Sequence, residues 1–180
     1  CHMVSLDPTT LQKLLTASLA ARQRAYAPYS HYCVGAAVLD EQGDIHSGCN
    51  VENAAYPQGW CAETTALGPM LMAGGRRARA VLVSGPGPDI ITPCGGCRQK
   101  LREFGDDGLL IVAADPGGVR QSWTLGQLLP ASFGPDHLHH NPEAPNNYYE
   151  PYRHAPDRCH HHPNHRATAP TLWRRARRGR

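Results

Sequence analysis

Three cysteines and one glutamate carry the chemistry of this 180-residue chain: Cys61-Ala62-Glu63, and farther on Pro93-Cys94-Gly95-Gly96-Cys97. Three thiolates can hold Zn²⁺ and leave a fourth tetrahedral position for water, and a glutamate two residues from the first ligand can carry protons beside that water. The pattern points to a zinc hydrolase acting on an amine-bearing carbon. A C-x-x-C pair is also half of a structural zinc ribbon, where four protein ligands close the site. No second C-x-x-C exists here, and the third cysteine comes with a glutamate, so spacing favours an open, catalytic site.

The elements that must position these residues are legible in outline. Asp7-Pro8 followed by Leu11, Leu14, Leu15 and Leu19 predicts an amphipathic helix capped by Asp7, ending before Tyr26-Ala27-Pro28. Residues 33–39 and 45–51 read as two strands of a hairpin around the turn Glu41-Gln42-Gly43-Asp44. Residues 61–73 and 94–104 read as helices, 80–84 and 109–114 as strands, and 123–129 as a short helix or turn. This alternation favours a three-layer α/β/α domain of the α/β class. Both cysteine groups then fall where a helix begins, and unpaired N–H groups there favour thiolate over thiol.

Composition bounds the rest. Residues 1–140 carry 10 Lys/Arg against 12 Asp/Glu, whereas residues 141–180 carry 8 against 3, so the net +3 describes a basic tail and not a nucleic-acid-binding body. The expected organisation is a disordered N-terminus over 1–6, a catalytic domain over 7–140, and a disordered His/Pro/Arg-rich tail over 141–180, too poor in aliphatic residues to fold. Seven cysteines without a secretory leader suggest a reducing, cytoplasmic setting in which Cys1, Cys33, Cys49 and Cys159 are free thiols. No apolar run is long enough to span a bilayer, so no membrane partner is expected.

Five ordered blocks then resemble the small, homotetrameric class of cytidine deaminase. They are Ala27-Pro28-Tyr29-Ser30-His31-Tyr32-Cys33-Val34-Gly35-Ala36-Ala37, Gly48-Cys49-Asn50-Val51-Glu52-Asn53-Ala54-Ala55-Tyr56-Pro57, Cys61-Ala62-Glu63, Pro93-Cys94-Gly95-Gly96-Cys97-Arg98-Gln99, and Leu128-Leu129-Pro130-Ala131-Ser132-Phe133-Gly134-Pro135. The resemblance implies a sandwich with a mostly five-stranded mixed sheet. It also implies one Zn²⁺ per subunit on Cys61, Cys94 and Cys97, with Glu63 moving protons from water to ring N3 and the departing amine. It places Asn50 and Glu52 against the ribose hydroxyls and Tyr32 against the pyrimidine. Ala54, Tyr56 and Phe133 would close the pocket of a neighbouring subunit in a homotetramer. The implied activity is conversion of cytidine and 2′-deoxycytidine to uridine and 2′-deoxyuridine in pyrimidine salvage. The alternatives are a related deaminase of another aminated nucleoside, or a weakly active zinc-stabilised protein that binds nucleic acid through its basic tail.

The chain departs from the family pattern at three places. Thr64 stands where the family carries an arginine that donates to a zinc cysteine, leaving Arg98 or the Thr64 hydroxyl as candidates to offset the thiolate charge. Gly68-Pro69 interrupts the helix after Cys61 and predicts a kink near Thr65 or an early end. Tyr32 replaces a phenylalanine and adds a hydroxyl.

Overall fold

The computed structural model describes residues 6–138. Residues 1–5 and the tail expected from 141 onward lie outside the described residues. The N-terminal helix α1 spans Pro8–Arg22, and the Asp7 carboxylate accepts from Thr10 N at 2.9 Å, the predicted cap. Strands β1 (Gly35–Asp40) and β2 (Ile45–Cys49) form the predicted antiparallel hairpin. Helix α2 (Ala62–Met72), strand β3 (Ala78–Ser84), helix α3 (Gly95–Phe104) and strand β4 (Leu110–Asp115) follow. Strand β5 (Gly118–Thr124) and short helices α4 (Leu125–Leu128) and α5 (Pro135–Leu138) complete the described chain.

One mixed sheet, in the order β2-β1-β3-β4-β5, is the middle layer. Only β3 and β4 run parallel, joined through α3, and the other pairings are antiparallel. The central strands are buried on both faces, and their alternation sorts side chains into two cores. Ala36, Val38, Val81, Val83 and Ile111 pack with Ala62, Ala66, Leu67 and Met70 of α2 and Leu101 of α3. Ala37, Leu39, Ala80, Leu82 and Val112 face Leu14 and Leu15 of α1. This is the expected three-layer arrangement. No helix among the described residues is long and apolar enough to cross a membrane.

Two local expectations are amended for physical reasons, although α4 does fall within the helix or turn expected over 123–129. Residues 118–124 form a strand that periodicity does not reveal, because β5 is an edge strand whose Arg120, Gln121 and Ser122 face solvent; Trp123 pairs with Ile111 in the sheet and is not helical. Helix α2 runs through Pro69 to Met72 and does not end early. Gly68 and Pro69 lie on its exposed side, where water can serve the Thr65 carbonyl that proline leaves without a donor, and Ala73 N resumes the ladder to Pro69 O at 2.9 Å.

The hairpin is tied by one buried acid. Asp40 is 1% exposed and accepts from Gln42 N at 2.9 Å, Asp44 N at 2.8 Å and His46 Nε2 at 2.8 Å. Burial pushes its carboxyl up, but the hydrogen bonds from His46, Asp44 and Gln42 together outweigh that and hold it below the ordinary carboxylate value. A lowered folded-state pKa contributes stability at neutral pH that disappears as pH falls through that value. Asp40→Asn should therefore lower stability by about 1–3 kcal/mol at pH 7, with the gap to wild type closing below about pH 4. Thermal melts across pH check this, and a gap that persists in acid contradicts it.

Candidate metal centre and nucleoside pocket

Two helix starts bring the three cysteines together. Cys61 is the N-cap of α2 and Cys94 the N-cap of α3; neither side chain caps its helix, so both sulfurs remain free to bind elsewhere. Cys97, 1% exposed, sits one turn into α3. The Cys61 and Cys94 sulfurs are 3.7 Å apart, and all three Sγ atoms lie within 4.8 Å of one another. Tetrahedral zinc with Zn–S bonds of about 2.3 Å requires sulfurs roughly 3.8 Å apart, so this donor set fits Zn²⁺.

Packing fixes the convergence. A Cβ on Gly48 of β2 would lie 2.4 Å from Ala66 N and 2.7 Å from the Thr65 carbonyl carbon, so α2 rests directly on the β2 backbone. Arg98 clamps the segment ahead of α3: its guanidinium donates to Pro93 O at 2.7 Å, Leu128 O at 2.7 Å and Thr92 Oγ1 at 2.8 Å. Arg98 is thus a loop anchor and does not donate to sulfur. Of the two residues considered for offsetting the thiolates, Thr64 is the one in place, with Oγ1 3.6 Å from Cys97 Sγ.

Glu63 is 4% exposed, and its Oε2 accepts from Cys97 Sγ at 3.5 Å. Burial pushes its carboxyl up, against smaller lowering contributions from its own backbone, Cys97 and the Lys100 charge. Cys97 is also pushed up, first through its hydrogen bond with Cys61, then by burial and the nearby Glu63 charge. Three clustered thiols beside an acid resist losing protons together, and a bound cation inverts that preference.

Of the remaining predicted contacts, Asn50, Glu52, Ala54 and Tyr56 lie on the loop that enters α2, Tyr32 lies between α1 and β1, and Phe133 lies between α4 and α5. Tyr26 N donates to Asn50 O, Glu52 N donates to Tyr26 O, and Val51 and Trp60 exchange backbone bonds of 2.8 and 2.9 Å. These pairings tie the Asn50–Glu52 segment to the residue preceding Cys61. Asn50 turns both ends of its amide inward, accepting from Val34 N and donating to Tyr32 O, each at 2.9 Å. Glu52 accepts from Tyr29 N at 3.0 Å, Ser30 N at 3.2 Å and the Ser30 hydroxyl. The Ser30 hydroxyl is the largest influence holding the Glu52 carboxyl below its ordinary value.

Glu52 lines a cavity of about 310 Å³ together with Tyr29, Ser30, Asn53, Tyr56 and Gly59. Tyr56 faces this cavity of its own chain and sets its ring 5.8 Å from that of Tyr29. Ala54 is exposed and outside the lining, and Phe133 is 59% exposed and stacks on His137. Tyr32 is 40% exposed, and its added hydroxyl lies against Gly85, 3.5 Å from where a Cβ there would stand. Sequence reasoning passed over Tyr29 and Ser30 as ligand-shaping residues. Their backbone N–H groups are invisible in a sequence, although both residues lie within one motif block.

A model of the cytidine and deoxycytidylate deaminase zinc-binding region matches residues 8–113. The chain belongs to the cytidine deaminase family. A cytidine deaminase of Sporosarcina psychrophila is 40% identical over 130 residues, which cover 71% of this chain and 94% of that protein. The crystal structure of cytidine deaminase from Burkholderia pseudomallei is 45% identical with a TM-score of 0.63, covering 68% of this chain and 98% of that one. The Mycobacterium tuberculosis enzyme is 39% identical with a TM-score of 0.59, covering 68% and 96%. The family supplies zinc as the cofactor, and the Cys61, Cys94 and Cys97 cluster is a donor set able to hold it.

Because α2 leans on Gly48, Gly48→Ala should destabilise the chain by about 1–3 kcal/mol and lower bound zinc below one per chain, as Cys61 moves away from α3. Melting temperature and metal analysis after dialysis measure both. Full zinc occupancy at wild-type stability would show that the contact is not constraining.

Proposed function

We propose that this protein hydrolyses cytidine and 2′-deoxycytidine to uridine and 2′-deoxyuridine with release of ammonia, serving pyrimidine salvage. The observation that carries the reading is a buried carboxyl, Glu63, 3.5 Å from one sulfur of a three-sulfur cluster spaced for zinc. Zinc bound by Cys61, Cys94 and Cys97 supplies Lewis acidity that brings the pKa of water toward neutrality. Glu63 would take a proton from the attacking water and deliver it to ring N3 as the C4–O bond forms, then take the proton of the new C4 hydroxyl and deliver it to the exocyclic amine as the C4–N bond breaks and ammonia leaves. Burial suits the acid to this duty, because a carboxyl raised toward neutrality can both take and give a proton.

Glu52 orients the sugar, Asn50 assists through the amide hydrogen left beside its bond to Tyr32 O, and Tyr32 flanks the base. Glu52 keeps its charge because Ser30 and Tyr29 stabilise it, and an anionic acceptor suits ribose hydroxyls. No lysine or arginine joins it among the residues lining the cavity, so no side chain there answers a 5′-phosphate with a fixed positive charge. This favours nucleosides over nucleotides. Exposed aromatic rings at Trp60 and Phe133 support a homotetramer in which Ala54 and Phe133 complete a neighbouring pocket, whereas Tyr56 lines the cavity of its own chain. A reducing cytoplasm suits thiolate ligands.

The test is loss of cytosine absorbance, with ammonia release, on incubating zinc-loaded protein with cytidine, 2′-deoxycytidine and cytidine 5′-monophosphate. The two nucleosides should turn over and the nucleotide should not. Glu63→Gln should slow kcat by about 10²–10⁴-fold while retaining zinc and at least the wild-type melting temperature, since a raised carboxyl pKa disfavours the folded state above the ordinary value. Zinc-replete protein inert toward both nucleosides, or faster on another aminated nucleoside, overturns the assignment.

A further inference from the structure

Zn²⁺ held by three thiolates has a formal charge of −1, which weakens it as a Lewis acid unless donors and positive charge offset the sulfurs. The two helix N-termini supply part of this offset. Arg98, the guanidinium adjacent to Cys97 in sequence, is committed to Pro93 O, Leu128 O and Thr92 Oγ1. A different cation completes a path to sulfur. Lys100 lies three residues beyond Cys97 on α3, on the same helix face, and its Nζ donates to Thr64 Oγ1 at 3.2 Å. Thr64 Oγ1 lies in turn 3.6 Å from Cys97 Sγ.

The donor inventory fixes the direction of this chain of contacts. An ammonium can only donate, so the hydroxyl oxygen accepts from Lys100 and its own hydrogen is free for the sulfur. A hydroxyl that accepts from a cation becomes a stronger donor. The path crosses from α3 to α2 and returns to α3, so it also cross-links the two helices that carry the ligands.

We propose that Lys100 is a positioning residue of the three-thiolate site, compensating the charge on Cys97 through the Thr64 hydroxyl. The proposal rests on the zinc reading above. It assigns to a threonine–lysine pair the charge compensation for which the sequence offered Arg98 or the Thr64 hydroxyl alone.

The experiment is zinc competition against a chromophoric chelator at low and high salt, using full-length wild type, Lys100→Met, Lys100→Arg, Thr64→Val and the double variant, with visible spectra of the cobalt-substituted forms. Lys100→Met should weaken zinc retention about three- to fivefold at low salt and converge with wild type near 1 M salt, where an exposed charge is screened. Its sulfur-to-cobalt band should move to longer wavelength, and Lys100→Arg should restore both readouts. Thr64→Val should weaken retention about tenfold, and the double variant should be no worse, since Lys100 acts through Thr64. Lys100→Met equal to wild type in both readouts, or losses that add in the double variant, overturns this proposal while leaving the zinc site intact. A wild-type chain that binds no zinc overturns the metal reading itself and this proposal with it.

Discussion

Three sulfurs drawn to within 4.8 Å are the constraint around which this domain is organised. At an effective dielectric near 20, two thiolates at the 3.7 Å Cys61–Cys94 separation repel by roughly 4 kcal/mol, so the cluster persists as thiolates only with a cation among them. Bringing the sulfurs together requires two helices to start at one place. The sheet order makes this possible: α2 packs across β1 and β2, α3 connects the parallel pair β3 and β4, and both helices cover the same face of the sheet. The contact at Gly48 and the Arg98 clamp then set the final approach.

Two glutamates occupy opposite electrostatic settings. Glu63 is buried beside sulfur, where desolvation favours its protonated form. Glu52 stands in an open cavity, where the Ser30 hydroxyl and two backbone N–H groups favour its charged form. One acid is thereby suited to proton transfer and the other to accepting hydrogen bonds from a ligand. The backbone pairings of Val51 with Trp60 and of Tyr26 with Asn50 and Glu52 join the two regions through a few residues of chain.

Cation placement on α3 follows helical geometry. Arg98 and Lys100 are two residues apart and therefore point in different directions, one toward the loops before α3 and after α4, the other toward α2. Adjacency in sequence singles out Arg98 as the partner of Cys97, whereas the three-residue step to Lys100 is the one that shares a face with it.

The sequence by itself determined the candidate metal ligands, the general acid–base candidate and the alternation of helices and strands, because these reside in local spacing: a C-x-x-C pair, a Cys-Ala-Glu triplet, an Asp-Pro cap and β-branched runs. It hid β5, whose polar edge residues carry no hydrophobic period, and it misjudged Pro69, whose cost depends on which side of α2 faces water. Only tertiary structure decided that Arg98 anchors loops while Thr64 reaches sulfur and Lys100 reaches Thr64, and that Ser30 and Tyr29 hold Glu52. Those outcomes depend on directions of side chains and backbone N–H groups between segments far apart in the chain. Residue identity states what a group can donate or accept, and packing alone settles what it meets.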